Sequence, residues 1–225
     1  MNHATSIHPA RHVVVLGHPA TDSFNHAIAE RYCDAVRECG QEAVLRDLYA
    51  LDFDPRLRAD QRPGHQAHPM ASDVAGEIGR LREADAVIFV YPLWFGMPPA
   101  IIKGYVDRVL GTALTPQDIK THIPDAILRG KRLASFSTSA TTRPWLDEQG
   151  QFESLRQTFD QYLLKIFGMR DGGHTHFDAI VEDLPEHYAN ESLFCVEEKA
   201  RKLCSELAAE RHADRTRTLL SPNFE

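Results

Sequence analysis

Apolar residues along this chain follow two rhythms that take turns. Residues 12–16 (HVVVL) and 86–90 (AVIFV) are unbroken β-branched and aromatic runs, as expected of strands covered on both faces. Residues 42–48 (EAVLRDL), 131–138 (KRLASFST) and 174–181 (HTHFDAIV) are three further strand candidates. Between them the spacing changes to three and four. Phe24, Ile28, Tyr32, Ala35, Val36 and Cys39 share a helical face that Gly40 ends, and Ser72 is placed to cap a helix bearing Val74, Ile78 and Leu81. Pro99 suits the first turn of a helix with Ile102, Val106 and Val109 on one side. Phe152, Leu155, Phe159, Leu163 and Ile166 line another, closed by Gly168, and Leu193, Val196, Ala200, Leu203 and Leu207 line the last. Strands alternating with helices in this way predict an α/β fold, a doubly wound five-stranded parallel sheet with helices on both faces. There is neither an internal repeat nor a compositional break. One domain is therefore expected over residues 12–211, between a flexible extension at 1–11 and a loose polar tail at 212–225.

Composition narrows the class. The chain has 225 residues, 43% of them hydrophobic, enough for a sizeable core. A net charge of −7 and the lack of a Lys/Arg stripe argue against nucleic acid as a partner. Cys33, Cys39, Cys195 and Cys204 fall on predicted helices without Cys-x-x-Cys spacing, as reduced thiols of a cytoplasmic protein do. The first eleven residues lack a signal-peptide core, and no run approaches the ~20 apolar residues of a membrane span, so no membrane insertion is expected.

In a doubly wound sheet, ligands bind beyond the carboxyl ends of the strands. Three loops fall there. The first, His18 to Asn25, puts Thr21, Ser23 and Asn25 around a helix start, where backbone N–H groups and the helix dipole suit a phosphate; Ser23 serves equally as a plain N-cap. It contains neither Gly-x-Gly-x-x-Gly nor Gly-Lys-Ser/Thr, which excludes the dinucleotide fingerprint and the P-loop. The second, Pro92 to Pro98, carries Trp94 and Phe95, two large apolar rings in a loop. They either flank a planar ligand, form a dimer patch or turn a corner of the core. The third, STSATT at 137–142, offers hydroxyls and backbone donors suited to the polar edge of a flavin.

The strings HPATDSFNHA (18–27), DLYALDFDP (47–55), ADAVIFVYPLWFGMPPAIIKGYVDRV (84–109) and FGM (167–169) resemble the flavodoxin-like NAD(P)H:quinone oxidoreductases. That group includes mammalian quinone reductases, bacterial modulators of drug activity and ancillary subunits of potassium-efflux systems. The resemblance implies a flavodoxin-like sheet in the order 2-1-3-4-5, a homodimer, and a bound flavin, FMN or FAD. His18, Ser23, Phe24 and Asn25 would then meet the flavin's phosphate and ribityl chain. Pro92, Leu93, Trp94 and Phe95 would cradle its ring, and Thr138, Ser139 and Ala140 would donate to it. Electrons would pass from NAD(P)H to the flavin and on to a quinone-like acceptor in ping-pong order.

The sequence departs from that family after the fourth strand. Where many quinone reductases carry Thr-Thr-Gly-Gly followed by a catalytic Tyr and His, this chain reads STSATT, then Arg143, Pro144 and Trp145. Trp145, near the position of the Tyr, can wall the pocket but has no phenolic proton, and no His follows within 25 residues. Protons are expected from solvent, Asp147 or Glu148. Two rival functions remain: a flavin-binding regulatory subunit of a transporter, and a flavin-free binding module. His174 and His176 face one side of their strand, a spacing open to a metal, and are expected to be ordinary strand-end histidines. Cys195 and Cys204 are expected to pack along the last helix, His65 and His68 to lie in an exposed loop, and the charges at 197–211 to form a solvated face.

Overall fold

The computed structural model describes residues 8–61, 70–112, 116–121 and 127–220. Strands β1 (Arg11–Leu16), β2 (Glu42–Asp47), β3 (Ala86–Pro92), β4 (Arg132–Thr138) and β5 (Arg170–Phe177) form one sheet. All pairs are parallel, in the order β2-β1-β3-β4-β5, as the family resemblance implied. Successive side chains of the central strands point to opposite faces, and each face has its own cover. Val13, Val15, Val87 and Phe89 lie under α2 (Ser72–Glu83), α3 (Ala100–Tyr105), α6 (Gln151–Leu155) and α7 (Tyr162–Phe167). Val14, Leu16, Ile88 and Val90 lie under α1 (Phe24–Glu38) and α8 (Glu186–Leu220), with Ile28, Tyr32, Val196 and Leu203 filling the gap.

Several elements depart from the pattern-based expectation, each for a local reason. Strand β5 begins four residues early, at Arg170, because its first half is polar and glycine-rich and sits at the sheet edge, where burial leaves no mark on sequence. A Cβ on Gly172 would stand 2.9 Å from the Leu133 carbonyl oxygen, and the ladder shifts register between Leu133 and Ser135. Ser72 is the first residue of α2, and Ala71 precedes it without a side-chain cap. The polar stretch after β4 contains a short helix, α5 (Arg143–Glu148), and the stretch 111–130 contains α4 (Pro116–Thr121). The helices starting at Ala100 and Gln151 both pass into π-type turns, at Val106–Leu110 and Arg156–Gln161.

The last helix runs to Leu220, so the tail expected to be loose from 212 is helical that far. Its charges are not merely solvated. Glu197 pairs with Arg31 at 2.6 Å, Arg201 with Glu38 at 3.0 Å, Arg211 with Asp85 at 2.7 Å and Glu210 with Arg170 at 3.1 Å, tying α8 to α1, to the residue before β3 and to the start of β5. The four cysteines are free thiols; Cys204 is buried along α8 and Cys195 half-buried, as expected. His65 and His68 lie outside the described residues.

The segment after β2 is held from α3. A Cβ on Gly104 would come within 2.4 Å of the Pro55 carbonyl oxygen, so only glycine lets the two backbones touch. One helical turn on, the buried Arg108 donates to the Asp54 carbonyl (2.5 Å) and to Gln61 Oε1 (3.2 Å). It also pairs with Asp73 (2.8 Å) and lies 5.0 Å above the Phe53 ring.

Candidate functional site

The sheet order changes direction between β1 and β3, and the three loops predicted to carry chemistry converge above that crevice. Gly17 N donates to Val90 O (3.0 Å) and Leu93 N to Thr138 O (2.7 Å), so the first loop is anchored to the second and the second to the third. Asn25 closes the set: its Nδ2 donates to Thr138 Oγ1 at 2.9 Å across the crevice. Its Oδ1 is buried and has no hydrogen-bond partner in the protein.

The first loop is ordered by its own side chains. Ser23 Oγ accepts from His26 N (3.3 Å), the N-cap reading of that residue. His26 Nε2 faces the Asp47 carboxylate at 3.0 Å, and its Nδ1 lies 2.9 Å from Ser23 Oγ. Ser23 is thus fully engaged, and it is the backbone at the start of α1 that faces the crevice. The first turn of α1 holds no acidic residue, leaving the positive end of the helix dipole uncompensated there. Ala20 N donates to His18 Nδ1 (3.1 Å), and partial burial pushes the His18 pKa down, favouring the neutral ring. Thr21 is exposed and Phe24 packs edge-on against Phe177.

In the second loop Trp94 and Met97 exchange backbone hydrogen bonds around a tight turn whose central residues, Phe95 (φ 51°) and Gly96 (φ 78°), are left-handed. The turn brings Trp94 within 6.1 Å of the His18 ring and projects Phe95 away from the body, fully exposed. Pro92 ends β3 opposite Thr138, and Leu93 packs on the core below. The structure therefore joins Trp94 to the first loop but not Phe95.

The third loop is fixed to β5 by Ser139 N to Phe177 O (3.0 Å) and Ile180 N to Ser139 O (2.9 Å). Thr138 and Ser139 are buried; Ala140 is exposed. Trp145 stands exposed on α5, and Asp147 is paired to Arg143 at 2.8 Å.

Beneath this loop runs a hydrogen-bonded chain that sequence reading missed. Asp160 Oδ2 lies 2.5 Å from His174 Nδ1, and His174 Nε2 lies 2.7 Å from Ser137 Oγ. Ser137 Oγ is 2.8 Å from His176 Nδ1, and His176 Nε2 is 3.1 Å from Ser139 Oγ, which donates to Thr141 O at 2.7 Å. Ser135 Oγ supplies Asp160 Oδ1 at 3.0 Å. The Phe152 ring walls both imidazoles at 5.1 and 5.3 Å, and the Arg143 guanidinium covers its other side. The two histidines do share a face, as their alternation predicted, but they are bridged by Ser137 and are not ordinary strand-end residues. Burial, with His174 and Arg143 nearby, pushes the His176 pKa down to about 4. The available signal was the alternation Ser135-Ser137-Ser139 beside His174-His176. Asp160 arrives from a helix and gave none.

Fold and site together define a doubly wound α/β protein with a candidate ligand crevice at the topological switch point. The model of the flavodoxin-like fold family matches residues 10–193, and the chain belongs to that family. An uncharacterized NAD(P)H oxidoreductase of Haemophilus influenzae is 29% identical over 212 residues, spanning 93% of this chain and 97% of that one. Human ribosyldihydronicotinamide dehydrogenase [quinone] is 32% identical over 149 residues, 57% of this chain and 63% of the relative. Rat NAD(P)H dehydrogenase [quinone] 1 is 37% identical over 118 residues, and the match spans under half of either chain. Among solved structures, an NAD(P)H:quinone oxidoreductase from Methanothermobacter marburgensis superposes with a TM-score of 0.71. It is 23% identical, and the match covers 87% of this chain and 99% of that one, a likeness of fold.

Proposed function

We infer that this protein is a flavin-dependent NAD(P)H oxidoreductase that passes two electrons to a quinone-like acceptor. The relatives' names support the reaction class. The observation that carries the reading for this chain is the buried, donor-less Asn25 Oδ1 at the meeting point of three loops, beside an uncompensated helix N-terminus. A flavin fits that donor set. Its phosphate suits the start of α1, its ribityl hydroxyls supply the hydrogen Asn25 lacks, and its ring is apolar enough for Trp94 and Leu93. When bound, the flavin would supply the hydride chemistry.

The chain's own residues would then do the rest. The backbone from His18 to Asn25 holds the phosphate end, with Thr21 and Phe24 at its margin. Pro92, Leu93 and Trp94 exclude water from one side. Thr138 and Ala140 present donors at the ring edge, Ser139 between them ties the loop to Phe177 and Thr141, and Trp145 stands at the rim. Donor and acceptor entering the same open side of the crevice in turn would give ping-pong kinetics. Phe95, strained and bare, supports a homodimer in which a second copy covers the loop tip. No described helix is long and apolar enough to cross a membrane, and a cytoplasmic location is proposed with the reduced thiols.

The test is a visible spectrum of the purified protein, chromatography of the heat-released cofactor, and anaerobic addition of NADPH. Yellow protein that bleaches supports the reading and distinguishes FMN from FAD. Colourless protein that neither flavin reconstitutes refutes it.

A further inference from the structure

We propose that Asp160, His174, Ser137, His176 and Ser139 form a proton relay that delivers one proton, at Ser139 Oγ, to the oxyanion left on a quinone-type acceptor by hydride transfer. The destination rests on the oxidoreductase reading; the content of the relay rests on hydrogen counting in this structure. Thr141 O can only accept, so Ser139 Oγ spends its single proton there. His176 Nε2 must therefore donate to Ser139, and the neutral ring must accept at Nδ1 from the Ser137 hydroxyl. Ser137, its proton committed, must in turn accept from His174 Nε2. What remains is His174 Nδ1 facing Asp160 Oδ2, and the 2.5 Å contact between them requires a proton as well. The chain thus holds one proton more than a carboxylate and two neutral imidazoles.

Hydride addition turns the acceptor into a hydroquinone monoanion, whose oxygen bonds the Ser139 hydroxyl proton. Ser139 Oγ then takes the proton of His176 Nε2, His176 Nδ1 takes that of Ser137, and Ser137 takes that of His174 Nε2. The Asp160 carboxylate is left accepting from His174 Nδ1, the three bonds between His174 Nε2 and Ser139 Oγ are reversed, and no electron has moved along the chain. Water returns the proton at Asp160, and a tautomer change of both imidazoles with rotation of the Ser137 and Ser139 hydroxyls restores the starting order. A cavity of about 10 Å³, close to the size of one water, is lined by Ser135, Asp160, His174 and the exposed Gln161 and Asp171.

The groups facing the chain favour a neutral His176. His174 and Arg143 oppose its protonation, and Asp178 and Asp147 only partly offset them. Tyr91 stands 6.3 Å from His174 with its own pKa raised by burial, so it is no rival acid, and Arg156 lines the cavity. The relay occupies the role that Trp145, lacking an acidic proton, cannot fill.

Two measurements test this. Long-range ¹H–¹⁵N correlation spectra of the purified protein should show His176 neutral with its proton on Nε2 from about pH 5.5 to 8, moving to Nδ1 in Ser139→Ala. In stopped flow, with protein reduced anaerobically by NADPH and mixed with a 1,4-naphthoquinone, His174→Gln should slow reoxidation by roughly 10²-fold and abolish the D₂O slowing of the wild type. Reduction by NADPH should stay within about twofold. His176→Asn, a second cut in the chain, should give the same split. His176 protonated on Nδ1, or either variant reoxidising at the wild-type rate, overturns the relay. A chain that takes no flavin refutes the oxidoreductase reading and the relay's destination with it, whereas the Nδ1 tautomer refutes the relay with flavin in place.

Discussion

Asn25 and Trp94 do their work by joining loops that are distant in sequence. Trp94→Ala removes the ring that meets His18, and flavin affinity should fall roughly fivefold, corresponding to the ~1 kcal/mol of an aromatic contact, as read by quenching of flavin fluorescence on titration. Unchanged affinity would place Trp94 outside the site. His176 gives a stability signature independent of any ligand. Its pKa is about 4 in the folded chain against an ordinary 6.5, so below pH 6.5 the unfolded chain binds more protons than the folded one. Stability should fall as pH drops through that window, with up to about 3 kcal/mol from His176, and the fall should be shallower in His176→Gln, where only His12 and His18, also pushed down by burial, remain, as urea titrations at stepped pH would show. At this scale the sequence named Ser23 as a cap and the loops as the site. It could not show that His26 meets Asp47, nor that Asp160 reaches His174, because both contacts cross between elements that only the fold brings together.

At the scale of elements, legibility follows burial. The runs at 12–16 and 86–90 were readable because both their faces are covered, so every position but His12 is apolar. The edge strand β5 and the short helices α4 and α5 are polar, partly exposed pieces whose boundaries depend on neighbours. The link between α3 and the segment after β2 was equally hidden, since it runs through a glycine and one arginine. Gly104→Ala should destabilise the protein by about 2 kcal/mol, because the added methyl meets the Pro55 backbone and not a side chain that can turn away. Arg108→Met should cost roughly 3 kcal/mol and open the 53–61 segment to limited proteolysis, since the Asp54 carbonyl and Asp73 lose their partner. Equal denaturation midpoints and cleavage patterns for Arg108→Met and the wild type would show that other contacts hold that segment.

For the whole molecule, the alternation of strands and helices sufficed for the fold class, while the strand order came with the family resemblance. Phe95 ties shape to assembly. A phenylalanine at φ 51° is disfavoured by about 1 kcal/mol relative to glycine, and its ring gains nothing from its own chain. Phe95→Gly should therefore raise or preserve the melting temperature measured at low concentration while shifting the sedimentation profile toward monomer. An unshifted profile would remove this loop from any interface. The pairing of α1 with α8 bears on how the chain is made. The face of α1 that carries Ile28, Tyr32 and Val36 is roofed by Val196, Ala200 and Leu203, which leave the ribosome some 165 residues later. At ~5–20 residues per second that face stays open for about 10–30 s of synthesis. A nascent chain stalled short of α8 is thus expected to be bound by chaperones that recognise apolar surface, and one released past Leu207 is not.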